Sequence, residues 1–212
     1  MEVHPNVDLA LRFAGPAFFM GIQAASIKSA SGIWSMKNTR GLPMLPYISL
    51  LVNCIIWTMY GFLKEDLSLI VPSGCGILTG IYCTGIYMSC SEVSRSNNTL
   101  CLGALVCACI AGGLFVFDED YYLGLLGVVI SCILLGSPLA TLGTVIREKS
   151  TASLPFTTTL FMTLNALSWM SYGLLITHDF MVSVMVSSSN SFHTLAPALF
   201  HLFIFVFVLL NI

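Results

Sequence analysis

The chain has 212 residues, of which 57% are hydrophobic and only 8% are charged, and its formal net charge is −2. Roughly a quarter of the residues in a soluble globular domain are charged, so this composition excludes an ordinary soluble domain and indicates that lipid is the solvent. The small negative net charge gives no basic surface of the kind that nucleic-acid binding requires.

Polar segments divide the apolar chain into seven predicted membrane-spanning helices, each near the roughly 20 residues that cross a bilayer. The acidic start of the chain lacks the basic region of a cleaved signal peptide, so we expect the first helix to remain in the membrane. The sequence thus predicts an all-α membrane protein. Its predicted helices cover residues 8–30, 44–63, 67–90, 99–117, 121–145 and 156–177, with a seventh inside 180–212.

Loop charges predict how these helices are oriented. Six of the eight Lys and Arg residues lie in the loops after helices 1, 3 and 5, and basic loops favour the cytoplasmic side. We therefore expect an extracellular or lumenal N-terminus and a cytoplasmic C-terminus. The glycosylation sequon at Asn97 then faces the cytoplasm and should be unmodified. The basic residues are Lys28, Lys37, Arg40, Arg95, Arg147 and Lys149.

One motif, Asn-x₃-Trp-x₂-Tyr-Gly, occurs twice at a constant offset of 112 residues, at Asn53–Gly61 and Asn165–Gly173. Both copies follow a basic loop and precede an acidic one, so both helices cross the membrane in the same direction. A directly repeated three-helix unit would be inverted unless one more helix separated its copies. The sequence therefore predicts repeats at 8–90 and 121–212 joined by a linker helix at 99–117, a parallel 3+1+3 arrangement.

The polar and aromatic residues of each motif lie at positions i, i+4 and i+7, on one face of a helix. We name Asn53, Trp57 and Tyr60 the first stripe, and Asn165, Trp169 and Tyr172 the second stripe. We expect both stripes to face one cavity, where indole rings stack on the C–H face of a sugar and amides bind its hydroxyls. The alternatives are membrane-interface anchoring, strongest for the two tyrosines, and inter-helix bonding by the asparagines.

Prolines and glycines predict the moving parts of the molecule. Pro138 lies inside helix 5, where a proline permits a kink, and Pro46 and Pro155 open helices 2 and 6. The segment Val71–Gly76, with sequence VPSGCG, predicts an interruption of helix 3. Interrupted helices are typical of transporter binding sites.

Three segments, Trp57–Asp66, Ser137–Phe156 and Trp169–Asp179, resemble the SWEET family of sugar transporters, and the resemblance extends over about residues 10–185. It implies facilitated, bidirectional transport of mono- or disaccharides by alternating access, without a coupled ion, ATP or cofactor. It also implies a multi-pass protein of the plasma membrane or Golgi that forms homo- or hetero-oligomers.

Carried over position by position, the resemblance implies sugar contacts at Trp57 and Trp169. The family's asparagines on helices 3 and 7 fall on Ser73 and Met185, so both positions depart from the pattern. We also expect Lys64 and Asp179 to approach each other when the outer gate closes. The family's hinge prolines fall on Ala25, Pro46, Pro138 and Pro155, one of which is missing.

Two other functions remain open at this stage. The altered residues from Met185 onwards favour a transport-deficient partner that oligomerises with related carriers, whereas a seven-helix receptor explains the helix number but not the direct repeat. An enzyme is disfavoured because no Ser–His pair or His/Asp/Glu cluster lies at membrane depth. The eight cysteines form no CxxC pair and the four histidines are scattered, so no metal site is expected.

Overall fold

The computed structural model describes residues 5–39, 42–91 and 95–148, and eight positions between 161 and 172, with side chains left out for 5–8, 11 and 135–148. Among the described residues there are helices and turns but no strand, which confirms the all-α prediction. The helices are α1 (Pro5–Met36), α2 (Leu45–Leu63), α3 (Leu67–Cys90), α4 (Arg95–Val116) and α5 (Asp120–Glu148).

The remaining described positions, 161, 164, 165, 167–169, 171 and 172, are also helical, in agreement with the predicted sixth helix. The predicted seventh helix lies outside the described residues. The observed bounds of α3 match the prediction, and α1, α4 and α5 are longer than the apolar runs because polar residues extend their ends.

Within the part of the chain that the structure describes, three helices, α2, α3 and α4, are long and apolar enough to cross a membrane. They differ in burial: 56% of the apolar window of α2 is buried, against 6% of that of α4. Helix α4 thus keeps most of its apolar side chains on the surface, where lipid solvates them. The exposed side chains on α4 include Leu102, Leu105, Val106 and Ile110.

Helix α3 runs without a break through Val71–Gly76, so the prediction of an interrupted helix was wrong. Pro72 lies inside α3, which continues without the hydrogen bond that an N–H at this position would donate to the preceding turn. Its carbonyl oxygen accepts a hydrogen bond from the Nε2 of the buried Gln23 on α1, at 2.9 Å. The Gln23 side chain also accepts a bond from Thr79, at 3.2 Å, which ties α1 to α3.

The glycines of α3 allow it to pack closely on α2. A Cβ atom on Gly76 would collide with the Sγ of Cys54, and a Cβ atom on Gly80 would lie 2.8 Å from the Cα of Leu51. Small residues four positions apart let two helix backbones approach in a membrane. The glycines therefore serve helix packing, and α2 makes its most extensive contacts with α3.

The turns after α2 and α4 have the same construction. Glu65 and Asp118 adopt left-handed conformations, with φ of 53° and 58°. The N–H groups of Asp66 and Glu119 then bond back to the helix carbonyls of Gly61 and Leu114, both at 2.9 Å. This pattern is a standard helix C-terminal motif, and it makes each turn short enough to join adjacent helices.

The chain divides into two compact units, one of residues 1–18 with 138–212 and one of residues 19–137. In the second unit, a buried cluster joins the C-terminal half of α1, the start of α2 and the end of α3. There, the hydroxyls of Ser29 and Tyr47 bond at 2.7 Å. The cluster contains Ala30, Ile33, Met44, Tyr47, Ile48, Cys83 and Tyr87.

Two of the predicted prolines can be placed. Pro46 occupies the first turn of α2, which confirms that it opens this helix. The backbone of α5 remains helical through Pro138, and a kink there stays a prediction. Pro155 lies outside the described residues.

Candidate functional site: two Asn–Trp–Tyr stripes

The first stripe lies on one face of α2, as its spacing predicts. The indole N–H of Trp57 donates to the Oδ1 of Asn53 at 3.2 Å, across one helical turn. The ring of Tyr60 meets that of Trp57 edge to face, with centroids 5.4 Å apart and an interplanar angle of 85°. Only 1% of Tyr60 is exposed, so this ring is packed inside the protein and does not serve as an interfacial anchor.

Helix α5 provides the surroundings of the first stripe. The hydroxyl of Ser131 donates to the Oδ1 of Asn53 at 2.7 Å and accepts from the indole N–H of Trp57 at 3.0 Å. One turn earlier, Gly127 faces the indole: a Cβ atom there would lie 3.1 Å from the Cζ2 of Trp57. The glycine leaves room for the ring, and the serine completes a closed triangle of hydrogen bonds.

The second stripe reproduces the internal geometry of the first. The indole N–H of Trp169 donates to the Oδ1 of Asn165 at 3.0 Å. Trp169 and Tyr172 also meet edge to face, with centroids 5.7 Å apart and an interplanar angle of 84°. Tyr172 is 1% exposed, which argues against anchoring here as well. The repeated motif therefore encodes the same hydrogen bond and the same ring contact twice.

A glycine faces the indole in both stripes, and the two glycines are themselves a repeat. A Cβ atom on Gly15 of α1 would lie 2.8 Å from the Cε2 of Trp169. Gly15 precedes Gly127 by 112 residues, the offset that separates Trp57 from Trp169. Each tryptophan thus packs on the first helix of the other predicted repeat, at an equivalent position.

A cation lies near the tyrosine of each stripe. The Nζ of Lys64 is 5.7 Å from the ring centroid of Tyr60, and the guanidinium carbon of Arg12 is 5.9 Å from that of Tyr172. Lys64 also forms an ion pair with Asp120, at 2.5 Å. The hydrogen bond that Lys64 donates holds the pKa of the Asp120 carboxyl below its usual range.

The structure pairs Lys64 with Asp120, and the predicted approach of Lys64 to Asp179, which lies outside the described residues, stays a prediction. Ser73 is buried in α3, with 5% of its surface exposed, and Met185 lies outside the described residues. The structure brings Asn53 together with Trp57, and Asn165 together with Trp169. A cavity common to both stripes stays a prediction.

Five residues that make these contacts were not predicted from the sequence: Gly15, Gln23, Asp120, Gly127 and Ser131. The contacts of Ser131 and Asp120 depend on the pairing of α2 with α5, and those of Gln23 on the pairing of α1 with α3. A signal did exist for the glycines, since the 112-residue offset that relates the two tryptophans also relates Gly15 to Gly127.

Comparisons with known proteins agree with this architecture. A family model described as "Sugar efflux transporter for intercellular exchange" matches residues 11–95 and again residues 121–207. The chain is 30% identical over 189 residues to the bidirectional sugar transporter SWEET3 of Arabidopsis thaliana, covering 82% of this chain and 71% of the relative. It is 25% identical over 190 residues to SWEET8 of the same plant, covering 84% and 80%.

The solved structure of a eukaryotic SWEET transporter shares the fold. The TM-score is 0.70 at 22% sequence identity, and the match covers 96% of each chain. The family model covers most of the sequence and matches it twice, in the two regions that contain the stripes. This chain is therefore a member of the SWEET family, an all-α integral membrane protein.

Proposed function

We propose that this protein is a facilitative carrier that moves mono- or disaccharides in both directions across a membrane by alternating access. Its family membership supports transport over enzymatic catalysis, and the relatives named above are bidirectional sugar transporters. The observation that carries the proposal is the repeated Asn–Trp–Tyr geometry, with the same hydrogen bond and the same ring contact in both stripes.

The geometry gives each side chain of a stripe a separate task. Because the indole N–H groups of Trp57 and Trp169 bond to asparagine, each ring is held in a fixed plane. Both rings are only partly buried, so part of the indole surface remains for stacking on the C–H groups of a sugar. The asparagine amides then supply hydrogen bonds to its hydroxyls.

The proposed substrate is neutral because the proposed site is neutral. Its residues are Asn53, Trp57, Ser73, Asn165, Trp169 and Met185, none of which carries a formal charge. A site without a carboxylate or a basic group has no formal charge with which to balance an ionic substrate. The proposed hinges and gates lie around it, at Pro46, Pro138, Pro155, Tyr60, Tyr172, Lys64 and Asp179.

We also propose an N-terminus outside the cytoplasm, at the plasma membrane or the Golgi, and assembly with further SWEET chains. The distribution of basic loops supports this orientation. Asn97, in the first turn of α4, then faces the cytoplasm. It should show no glycosidase-sensitive mass shift in a eukaryotic host, and a shift that disappears in Asn97→Gln would contradict the orientation.

Transport in a cell that lacks its own sugar carriers tests the function. We expect saturable uptake of labelled hexose or disaccharide, efflux from preloaded cells at a similar rate, and no dependence on proton or sodium gradients. Trp34→Ala is a suitable control, since Trp34 is the third tryptophan, is 49% exposed on α1 and belongs to neither stripe. Absence of flux over a panel of sugars, at confirmed surface expression, would contradict the proposal and favour a transport-deficient partner.

A further inference from the structure

Ser131 completes a closed set of three hydrogen bonds with the first stripe. Its hydroxyl donates to the Oδ1 of Asn53 at 2.7 Å and accepts from the indole N–H of Trp57 at 3.0 Å. The same indole N–H also points to the Oδ1 of Asn53, at 3.2 Å. Ser131 lies on α5, 78 residues from Asn53 in sequence, so it joins the two helices at the level of the proposed site.

These bonds determine which end of the Asn53 amide is left for a ligand. A carbonyl oxygen has two lone pairs, and here both are used, one by Ser131 and one by Trp57. The oxygen therefore stays turned toward these two residues, and the NH₂ group, with its two donors, is the end that a ligand meets. Without the serine hydroxyl, the two nearly equal-sized ends of the amide could exchange places.

We propose that Ser131 is a positioning residue for sugar recognition: it orients the Asn53 amide so that the first stripe offers hydrogen-bond donors to a sugar oxygen. This role rests on the proposed transport function. Ser131 acts through Asn53 and Trp57 and needs no contact with the sugar. Losing its hydroxyl should raise the KM for sugar roughly 3- to 10-fold, which corresponds to about one net hydrogen bond.

The sequence has no equivalent of the Ser131 hydroxyl at the matching position of the other repeat. The residue 112 positions before Ser131 is Phe19, whose side chain cannot form a hydrogen bond. Among the described residues, the donor to the Oδ1 of Asn165 is the indole N–H of Trp169. In the described contacts the Asn53 oxygen thus has two donors and the Asn165 oxygen has one, and we expect the two amides to offer a sugar different hydrogen bonds.

The test compares Ser131→Thr with Ser131→Val, two side chains of nearly the same shape that differ in the hydroxyl. We expect Thr to keep the wild-type KM and Val to raise it, with Vmax unchanged in both. Ser89→Ala is the control, because among the described residues the hydroxyl of Ser89 bonds to the Gly85 carbonyl of its own helix, and its loss should leave KM unchanged. Each variant is measured by sugar uptake at equal surface expression.

A second readout needs no sugar. The chain has three tryptophans, so a ¹H–¹⁵N spectrum of the detergent-solubilised protein contains three indole N–H signals. Ser131→Val should shift the Trp57 signal and leave those of Trp34 and Trp169 in place, whereas Ser131→Thr should shift none.

Equal KM values for Ser131→Thr and Ser131→Val in an active carrier would overturn the role of Ser131 and leave the proposed transport function standing. An unmoved Trp57 signal would do the same. A loss of Vmax at constant KM would also overturn it. Absence of transport by the wild-type chain would overturn the proposed function first, and the role in sugar recognition with it.

Discussion

The first and second stripes have the same internal geometry, but they are supported differently. Both use an indole N–H bonded to asparagine and a tyrosine edge against the ring, and both place a glycine under the indole. The first stripe adds a serine hydroxyl from α5. Its nearby cation is Lys64, on the C-terminal side of the same helix, whereas the second stripe has Arg12 from α1.

The features that both stripes share determine where the indole rings lie. The features that differ between the stripes determine the hydrogen bonds around those rings. A glycine is required wherever a helix backbone approaches an indole, because any Cβ atom would occupy the same space. A hydrogen-bond partner can change in one copy without moving the ring, so the two stripes can share a shape and still differ in their hydrogen bonding. Substitutions made in matched pairs separate these contributions.

The largest effect on stability is expected where an added methyl group meets the indole most closely. In Gly15→Ala the new Cβ lies 2.8 Å from Trp169, whereas in Gly127→Ala it lies 3.1 Å from Trp57. Overpacking costs about 1–3 kcal/mol, and we expect the Gly15 variant to lose more stability and more transport. Gly103→Ala is the control, since a Cβ atom there meets no atom of the described residues within 4 Å.

Thermal unfolding in detergent, with sugar uptake measured in parallel, gives the order of the three glycine variants. A Gly15→Ala protein as stable as Gly127→Ala would show that the two indole contacts are equally tolerant. If Gly103→Ala lost as much stability as Gly15→Ala or Gly127→Ala, the membrane-spanning helices would be destabilised by an added methyl group at any glycine, whether or not it faces an indole.

The next effect separates the hydrogen bonds from the rings. Trp57→Phe and Trp169→Phe each keep an aromatic ring and lose the N–H group. Asn53 would still be held by Ser131, whereas Asn165 would lose its described donor. We therefore expect the KM for sugar to rise more in Trp169→Phe, by about 1 kcal/mol or roughly fivefold relative to Trp57→Phe.

Adding Ser131→Val to Trp57→Phe removes both donors to Asn53 and should bring its KM to that of Trp169→Phe. Uptake curves over a range of sugar concentrations measure all three variants. Equal KM values for the two single variants would mean that the serine gives the first stripe no independent support.

The sequence was sufficient to predict the features that depend on neighbouring residues. Apolar runs between polar segments predicted α3 at its observed bounds, and the i, i+4, i+7 spacing placed Trp57 next to Asn53 and Tyr60. The error at Val71–Gly76 came from reading Pro72 and the glycines as local breaks. In the structure, helix packing overrides that preference, since Gly76 and Gly80 are covered by α2.

Contacts between distant segments could not be predicted in the same way. Ser131 is an ordinary small residue in an apolar helix until α5 packs beside α2. The sequence likewise places several acidic residues in loops on the same predicted side of the membrane as Lys64. Only the structure pairs it with Asp120. The contact of Gly15 with Trp169 is an exception. Gly15 and Gly127 are separated by the same 112 residues as Trp57 and Trp169, so the repeat relates the two glycine–tryptophan contacts even when the packing of the helices is unknown.

The smallest effect concerns the ion pair near the first stripe. Asp120 lies at the first residue of α5, ahead of the predicted 121–145 span, and 47% of its side chain is exposed. A screened surface pair contributes a few tenths of a kcal/mol. Because Lys64 lowers the pKa of Asp120, this stabilisation is present above the ordinary carboxyl pKa of about 4 and fades as the pH falls below it.

Thermal unfolding of wild type and Asp120→Asn between neutral and acidic pH measures this contribution. We expect a small difference at neutral pH that disappears on acidification. Arg12→Gln removes the cation near the second stripe and is the control, because its difference from wild type should not follow the titration of Asp120. A difference for Asp120→Asn that grew as the pH fell would contradict the direction of the shift.

Sugar uptake by Trp57→Ala, Trp169→Ala and Trp34→Ala, at equal surface expression, tests most directly whether both stripes bind the substrate. Losing a stacked ring should cost on the order of 1–3 kcal/mol, by analogy with base stacking. For a carrier that binds weakly, this is enough to empty the site. We predict that uptake is lost in both stripe variants and kept in Trp34→Ala, and wild-type uptake in either stripe variant would contradict the account.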